Sequence, residues 1–512
     1  MFLVFFRMTF NSGKICYLIL KEVFDERVAS IGDKLHQWNG QTFQQLLIPP
    51  RVSKTAESLV VLINHNLVSF QECPRTGKAT YNLLEDRVLS LLKFPRYLIL
   101  GKTLFGDEGE LVIEELFKMG QASMTSVLFK SAKRLFLAKK ANEDKVEPSA
   151  DIVKALKIKF NQLVDCQFLC RLPSPYTLEN PNPDIAIIPF LQQNQTEIYA
   201  VPEINFKEIK EAIDKVDEDP DYEMEIKEGK DDAKILWRLN YERFQREFRD
   251  QIIVQTVTRR LDPTAGTLMR LLLNLMNECS PWAPESVHIR ANEIFAKVEK
   301  HVQEMGDNSQ RLQEFFDQYL KILEEDRTRF IDRVGDAGGG EYKINAKHIF
   351  TELAAATAES IVLERYGSKA LRIFRVVREK LHIEESQLQN LVMIPAKEVK
   401  YLTYSLMEGN FIKIQELRKS MAANNAMGKS FFLFYVDLPQ VARMVVEHCY
   451  LAISNCYKRK NHEAEVNHRL LDKHERIESI SANIKNSEEF ETSEELQLQL
   501  QEIQDMVCYF FS

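Results

Sequence analysis

Residues 58–72 read SLVVLINHNLVSFQE, and the chemistry changes at the centre of this stretch. An amphipathic helical run closes on the polar pair His65-Asn66. The next residues, Leu67-Val68-Ser69-Phe70, have the β-branched and aromatic make-up of a strand. Pro74-Arg75-Thr76-Gly77-Lys78 then forms a turn, and ATYNLL returns as a second strand. Residues 14–37 supply helical segments ahead of the unit. Helices followed by a hairpin make a helix-turn-helix with a β wing, the winged-helix arrangement.

The same switch recurs at 155–172 (ALKIKFNQLVDCQFLCRL), 315–334 (FFDQYLKILEEDRTRFIDRV) and 399–417 (VKYLTYSLMEGNFIKIQEL). Three/four spacing marks each helical part: Leu156, Phe160, Leu163; Phe316, Leu320, Leu323; Val399, Leu402, Leu406. The third unit turns through Gly338-Gly339-Gly340 into Glu341-Tyr342-Lys343-Ile344, and the fourth returns as 431–436. Expected boundaries are 9–85, 86–203, 233–346 and 347–437, with an acidic linker at 204–232. Residues 173–202 hold six of the 17 prolines and read as loop, with one short strand possible at 197–201.

From Lys429 to Ser512 there is no glycine. A heptad series runs Cys449, Cys456, Glu463, Leu470, Ile477, Ile484, partnered by Val446 and Ile453, and a second series follows at Leu496, Leu500, Ile503 and Val507. This predicts an antiparallel coiled-coil hairpin over 438–512, with Cys449, Cys456, Leu470, Ile477 and Ile484 as its assembly seam. The expected fold is therefore mainly α with small β wings: four tandem winged helices, then the hairpin.

The length of 512 residues suits several domains, and 45% apolar with 28% charged residues is an ordinary globular balance. No apolar run is long enough to span a bilayer. Eight cysteines in so long a chain do not make a secreted disulfide framework, which points to a reducing compartment. The net charge of −8 is uneven. Residues 203–232 hold thirteen acids and five bases, and 487–512 hold seven acids and no base. The remaining body is basic, so an overall acidic pI does not argue against nucleic acid.

Catalytic signatures fail on inspection. Gly428-Lys429-Ser430 lacks the upstream glycine of a phosphate loop, where Ala423 stands. The triple glycine at 338–340 fits a tight turn better than a phosphate cradle. No C-x-x-C pair exists, and His462, His468 and His474 rotate around a helix instead of aligning. No catalytic residue, metal ligand or cofactor is expected. Basic clusters are the remaining chemistry: Lys130, Lys133, Arg134, Lys139 and Lys140 in the second unit, and Arg51 and Lys54 opening the third helix of the first. Each is either a solvated helix face or a sequence-independent phosphate contact.

Several long blocks carry a family resemblance: LINHNLVSFQ (62–71), KFPRYL (93–98), GDEGELVIEEL (106–116), RFQREFRDQIIV (243–254), GDAGGGEYKIN (335–345), ATAESIVLERYGSKALRIFRVV (356–377) and MIPAKEVK (393–400). In these the chain resembles the large winged-helix subunit of eukaryotic RNA polymerase III, part of a peripheral trimer on the polymerase clamp and related to the α subunit of TFIIE. The resemblance implies a non-catalytic nuclear subunit that holds the initiation subcomplex, supports recruitment to TFIIIB-bound promoters and assists promoter opening for small-RNA genes. Its implied partners are the clamp, two sister subunits, TFIIIB and DNA without sequence preference, with no membrane. A TFIIE-like factor is the alternative, against which the missing C-x-x-C counts; a winged-helix scaffold without nucleic-acid contact is another. The blocks align from Met8, and residues 507–512 depart from the family.

Overall fold

The computed structural model describes residues 10–38, 40–46, 52–72, 78–141, 149–172, 199–202, 206–218, 235–279, 286–305, 310–418, 430–469, 472–473 and 476. They divide into two compact units, one holding the described residues up to Gln245 with those from Tyr450 onward, the other Arg246–Cys449.

The first unit opens with α1 (Phe10–Val23) and α2 (Glu26–Gln37), then β1 (Gln41–Thr42), α3 (Phe43–Leu46), α4 (Val52–Asn64), β2 (Val68–Glu72) and β3 (Ala79–Leu83). Ile15, Ile19, Ile31, Leu35, Leu46, Leu59 and Leu62 pack into one core under the sheet. Each such side chain contributes about 1.5–3 kcal/mol on burial. α5 (Glu85–Ser90), α6 (Phe94–Phe105), α7 (Asp107–Met119), α8 (Met124–Ala141), α9 (Ser149–Asp165), β4 (Leu169–Arg171), α10 (Phe206–Glu218) and β5 (Trp237–Leu239) follow.

In the second unit, α11 (Tyr241–Arg260), which begins five residues before the division, leads to α12 (Pro263–Cys279), β6 (Ile289–Arg290), α13 (Ala291–Met305), α14 (Gln310–Glu314), α15 (Phe316–Glu325), β7 (Asp332–Gly335) and β8 (Glu341–Lys343). Then come α16 (Ala346–Lys380), broken at Gly367 with φ 83°, β9 (Ile383–Glu384), α17 (Glu385–Val392), α18 (Ala396–Glu408), β10 (Lys413–Arg418), β11 (Ser430–Tyr435) and α19 (Leu438–Val466).

One topology repeats. The three-stranded sheets are ordered β1-β3-β2, β6-β8-β7 and β9-β11-β10, all antiparallel, so the last strand always lies between the other two. Around β4 the sheet has the same plan: β5 pairs with β4 on one side and, through Trp237, bridges Ala122 on the other. The sheet begun by β4 therefore closes with residues 237–239, beyond the boundary expected at 203. Residues 199–202 carry no strand.

The polar residue between helix and strand has a structural cause. Asn66, Gln167 and Asn410 take positive φ of 55°, 65° and 60°. In each case the next amide reaches back five residues, from Leu67 to Leu62 O, Phe168 to Leu163 O and Phe411 to Leu406 O, all at 2.9 Å. A second bond runs from the left-handed residue itself to the carbonyl three before it. This is the Schellman closure, with a buried apolar pair across it. Left-handed backbone costs an L-residue about 1–2 kcal/mol, least for Asn, whose short amide bonds locally. Arg329 (φ 44°), after α15, makes the same three-residue bond, to Asp326 O at 2.9 Å. The triple glycine also behaves as its sequence suggests: Gly338, Gly339 and Gly340 all have positive φ between β7 and β8.

The acidic linker expected over 204–232 needs correction. Residues 206–218 form α10, which packs on α8 and α9 and buries Ile209, Ala212 and Ile213. These residues stand at i, i+3 and i+4, so a dense charge pattern conceals an amphipathic helix. Residues 219–234 lie outside the described residues. Among the described residues no helix is long and apolar enough to cross a membrane.

Candidate nucleic-acid and assembly surfaces

Lys130, Lys133 and Arg134 share α8, which is α-helical because its apolar residues Met124, Val127, Leu128, Ala132 and Phe136 form one broad buried face. Lys130 is exposed and Lys133 half-buried. Arg134 is already engaged: its guanidinium lies 2.6 Å from Glu114 and 3.2 Å from Glu115 of α7. Lys118 joins the same pair at 2.9 and 3.3 Å. Partial burial opposes the charge on Glu114, but hydrogen bonds from Arg134 and Lys118 outweigh it and hold the carboxyl below its usual range. The bond to Glu114 raises the Arg134 pKa in turn. Arg134 therefore tethers α8 to α7. The cause is invisible in the local sequence, since both acids lie on another helix.

Lys139 and Lys140 fall on the last turn of α8, and their side chains lie outside the described residues, as does Arg51 entirely. Lys54 opens α4, half-buried, on a different helix from the α8 cluster. Two basic helices escaped the sequence reading. α9 carries Lys154, 3.2 Å from Asp151, with half-buried Lys157 and Lys159. α18 presents Lys397, Lys400, Tyr401 and Tyr404 around an open depression of about 490 Å3. The signal was present as cations repeating at helical spacing on the third helix of a unit.

The seam residues are only partly described. Cys449 and Cys456 are exposed on α19. The face of this helix that packs on the first core carries Tyr450 and Ile453, with Ser454 buried beside them. Lys460 pairs with Glu22 of α1, and Tyr457 has its pKa pushed up to about 12 by burial and the neighbouring Glu22. Tyr450 and Tyr457 thus stand about 100° round the helix from Cys449 and Cys456. Leu470, Ile477 and Ile484 lie outside the described residues.

Among the described residues no three His, Cys, Asp or Glu side chains are grouped to hold a metal ion. Burial pushes the Cys16 and Cys170 thiols up, the wrong direction for a nucleophile.

Three family models match the chain: the RNA polymerase III subunit RPC82 helix-turn-helix domain over residues 14–72, RNA polymerase III subunit RPC82 over 190–353, and the POLR3C C-terminal winged-helix domain over 358–436. Human DNA-directed RNA polymerase III subunit RPC3 is 36% identical over 98% of this chain and 92% of its own length. The chain belongs to the RPC82/RPC3 family. The zebrafish (Danio rerio) RPC3 is 31% identical with the same coverage, while the Dictyostelium discoideum protein is 26% identical over 48% of this chain and 37% of its own. For an RPC82/RPC3 family member, the first matched block ends at β2 and contains the Asn66 closure, and the last contains the Asn410 closure together with α18. The second block spans the interval from the proline-rich stretch to the start of α16, so it includes α10 and β5.

Proposed function

We propose that this protein is an accessory, non-catalytic subunit of nuclear RNA polymerase III, acting in initiation from the polymerase clamp. Four winged helices in tandem and a C-terminal coiled-coil hairpin would form its body. It would hold its sister subunits, support recruitment to TFIIIB-bound promoters and assist promoter opening. The observation that carries this reading is similarity to an RNA polymerase III subunit along 98% of the chain. The repeated strand order favours a tandem array over a single DNA-reading module. DNA contact would be made through phosphates by Lys130 and Lys133, with Lys139 and Lys140, and would be weak, salt-dependent and indifferent to sequence.

The test is transcription of a transfer RNA gene by polymerase lacking this chain, with and without its return. Returning the chain should restore initiation on closed duplex more than on a template with a pre-opened bubble. Equal activity in its absence on both templates refutes the initiation role.

A further inference from the structure

The first half of α16, residues 346–366, belongs to two cores at once. Ile349 is buried in the core under β6-β8-β7, with Phe350 and Leu353 packed against it, while Ala358 and Val362 are buried in the core under β9-β11-β10. Between them the helix is continuous, so no loop separates the two cores. At Gly367 the backbone takes φ 83° and ψ 178°, a region open in practice to glycine alone. α16 folds back there, and its second half returns beside the first: Glu359 meets Arg375 at 2.7 Å and Glu352 meets Arg378 at 2.6 Å. Arg378 spans both acids, its other terminal nitrogen lying 3.0 Å from Glu359. Arg327, on the turn after α15, approaches the same carboxylate at 3.8 Å. That turn is held in place by Asp326, which accepts from the Thr328 amide at 3.1 Å and lies 3.2 Å from Arg260. Three arginines thus converge on a buried Glu359.

We propose that α16 and this clasp lock the two cores into one rigid body, with Glu359 and Arg378 as positioning residues that set the angle between α15 and α18. This goes beyond the subunit reading and does not depend on it. Domains in one chain ordinarily move relative to one another unless something suppresses the motion. A shared helix fixes the spacing of the cores but still bends and twists, and side contacts are what resist that. From Glu352 to Glu359 the clasp covers about 10 Å of helix, reaching from residues packed on one core to residues packed on the other. The planar guanidinium of Arg378 engages both carboxylates in fixed directions, which restrains tilt and rotation together, whereas an ammonium would act as a point charge. Independent units on a string would each find a neighbour separately. This pair instead presents α15 and α18 at one spacing, so a partner seated on one helix is positioned relative to the other.

The test is double electron–electron resonance on the full chain, with spin labels attached through azidophenylalanine at the exposed positions of Lys321 on α15 and Tyr401 on α18. The otherwise unsubstituted chain should give one narrow distance peak. Arg378→Met keeps the apolar stem and removes the fork, and Arg375 remains on Glu359, so no buried charge is stranded. This variant should lose the single peak to a broad distribution, and Arg378→Lys should recover it only in part. Glu352→Gln with Glu359→Gln attacks the clasp from its other side and should broaden the peak likewise. Lys369→Ala, which breaks a 2.5 Å pair with Glu398 within the second core's own helices, should leave the peak as it is. Hydrogen-exchange protection of β7 and β10 should persist in Arg378→Met, which separates lost orientation from lost folding. A broad distribution in the unsubstituted chain overturns the rigid body. A peak preserved in both clasp variants overturns the positioning role, and so does broadening that comes with lost protection of β10.

Discussion

Ile213→Ala isolates the docking of α10. Ile213 is 1% exposed, and its neighbours on the same face, Ile209 and Ala212, are 0% and 4% exposed. A buried Ile→Ala change costs about 2–5 kcal/mol, the spread reflecting how far the site collapses. With 1.4 kcal/mol per tenfold, a loss of about 3 kcal/mol raises the undocked population roughly a hundredfold. Unfolding of a chain this large is not two-state, so a global midpoint is the wrong readout. Hydrogen exchange of the full chain, followed by mass spectrometry, reads the local equilibrium directly. Peptides within 206–218 should lose about two decades of protection, and those of α8 and α9 beneath should lose part of theirs. Peptides from α12–α15 should not change. Lys210→Ala, on the exposed side of α10, serves as the control and should alter nothing. If 206–218 exchange freely in the unsubstituted protein, or if Ile213→Ala leaves protection intact, α10 is a solvated segment and its packing on α8 and α9 is wrong.

Three further outcomes are expected. Asn410→Gly should be neutral or slightly stabilising and Asn410→Val destabilising by about 1–2 kcal/mol, read as exchange protection of β10, because only the second change conflicts with the left-handed backbone. His65, packed edge-on to Phe24 at 4.7 Å, has its pKa lowered by burial to about 4. Between that value and the unfolded value near 6.5 the unfolded chain holds the extra proton, so protection of the first core should fall as pH drops through this window, by on the order of 3 kcal/mol at most, and His65→Gln should flatten the dependence. For DNA, Lys130→Ala with Lys133→Ala should reduce the log–log salt slope by up to about 2, whereas Arg134→Ala should leave the slope nearly unchanged while loosening α7 from α8.

Where the fold depends on contacts within a few turns of one helix, the sequence is transparent. Leu156, Phe160 and Leu163 are all fully buried, as are Leu320, Leu323, Val399 and Leu406, because three/four spacing has a single geometric consequence. The polar residue before each strand was visible for the same reason: it marks a local backbone conformation. Pairings across long intervals were not visible. β5 is three residues long and meets β4 from beyond a long insertion, and Asn240 secures it by donating to Gln167 O at 2.9 Å. Nothing in Trp237-Arg238-Leu239 alone names that partner. α10 was legible in principle through Ile209, Ala212 and Ile213, but thirteen acids in 203–232 outweighed three apolar residues in the reading. On α19 the heptad pattern admits neighbouring faces, and only the packing of Tyr450 and Ile453 on the first core distinguishes them.

The helices that lead into each wing strand, α4, α9, α15 and α18, show why site chemistry must be read residue by residue. All occupy the same topological position, yet their outward faces diverge. α4 exposes Glu57 and Val60, a face with little to offer a phosphate. α15 exposes Asp317, Lys321 and Glu325, with Lys321 3.8 Å from Glu325, and so repels nucleic acid on balance. α9 offers Lys154, but with Asp151 beside it. α18 alone combines two lysines with two exposed aromatic rings. A chain that read DNA with every unit would have to place cations on all four, since the electrostatic share of binding grows with each phosphate neutralised. This one does not. Lys130 and Lys133 lie on α8, off that position, and α18 sets its lysines beside exposed tyrosines. Three of these helices share the Schellman closure, at Asn66, Gln167 and Asn410, and that shared backbone constraint leaves the outward-facing residues free to diverge.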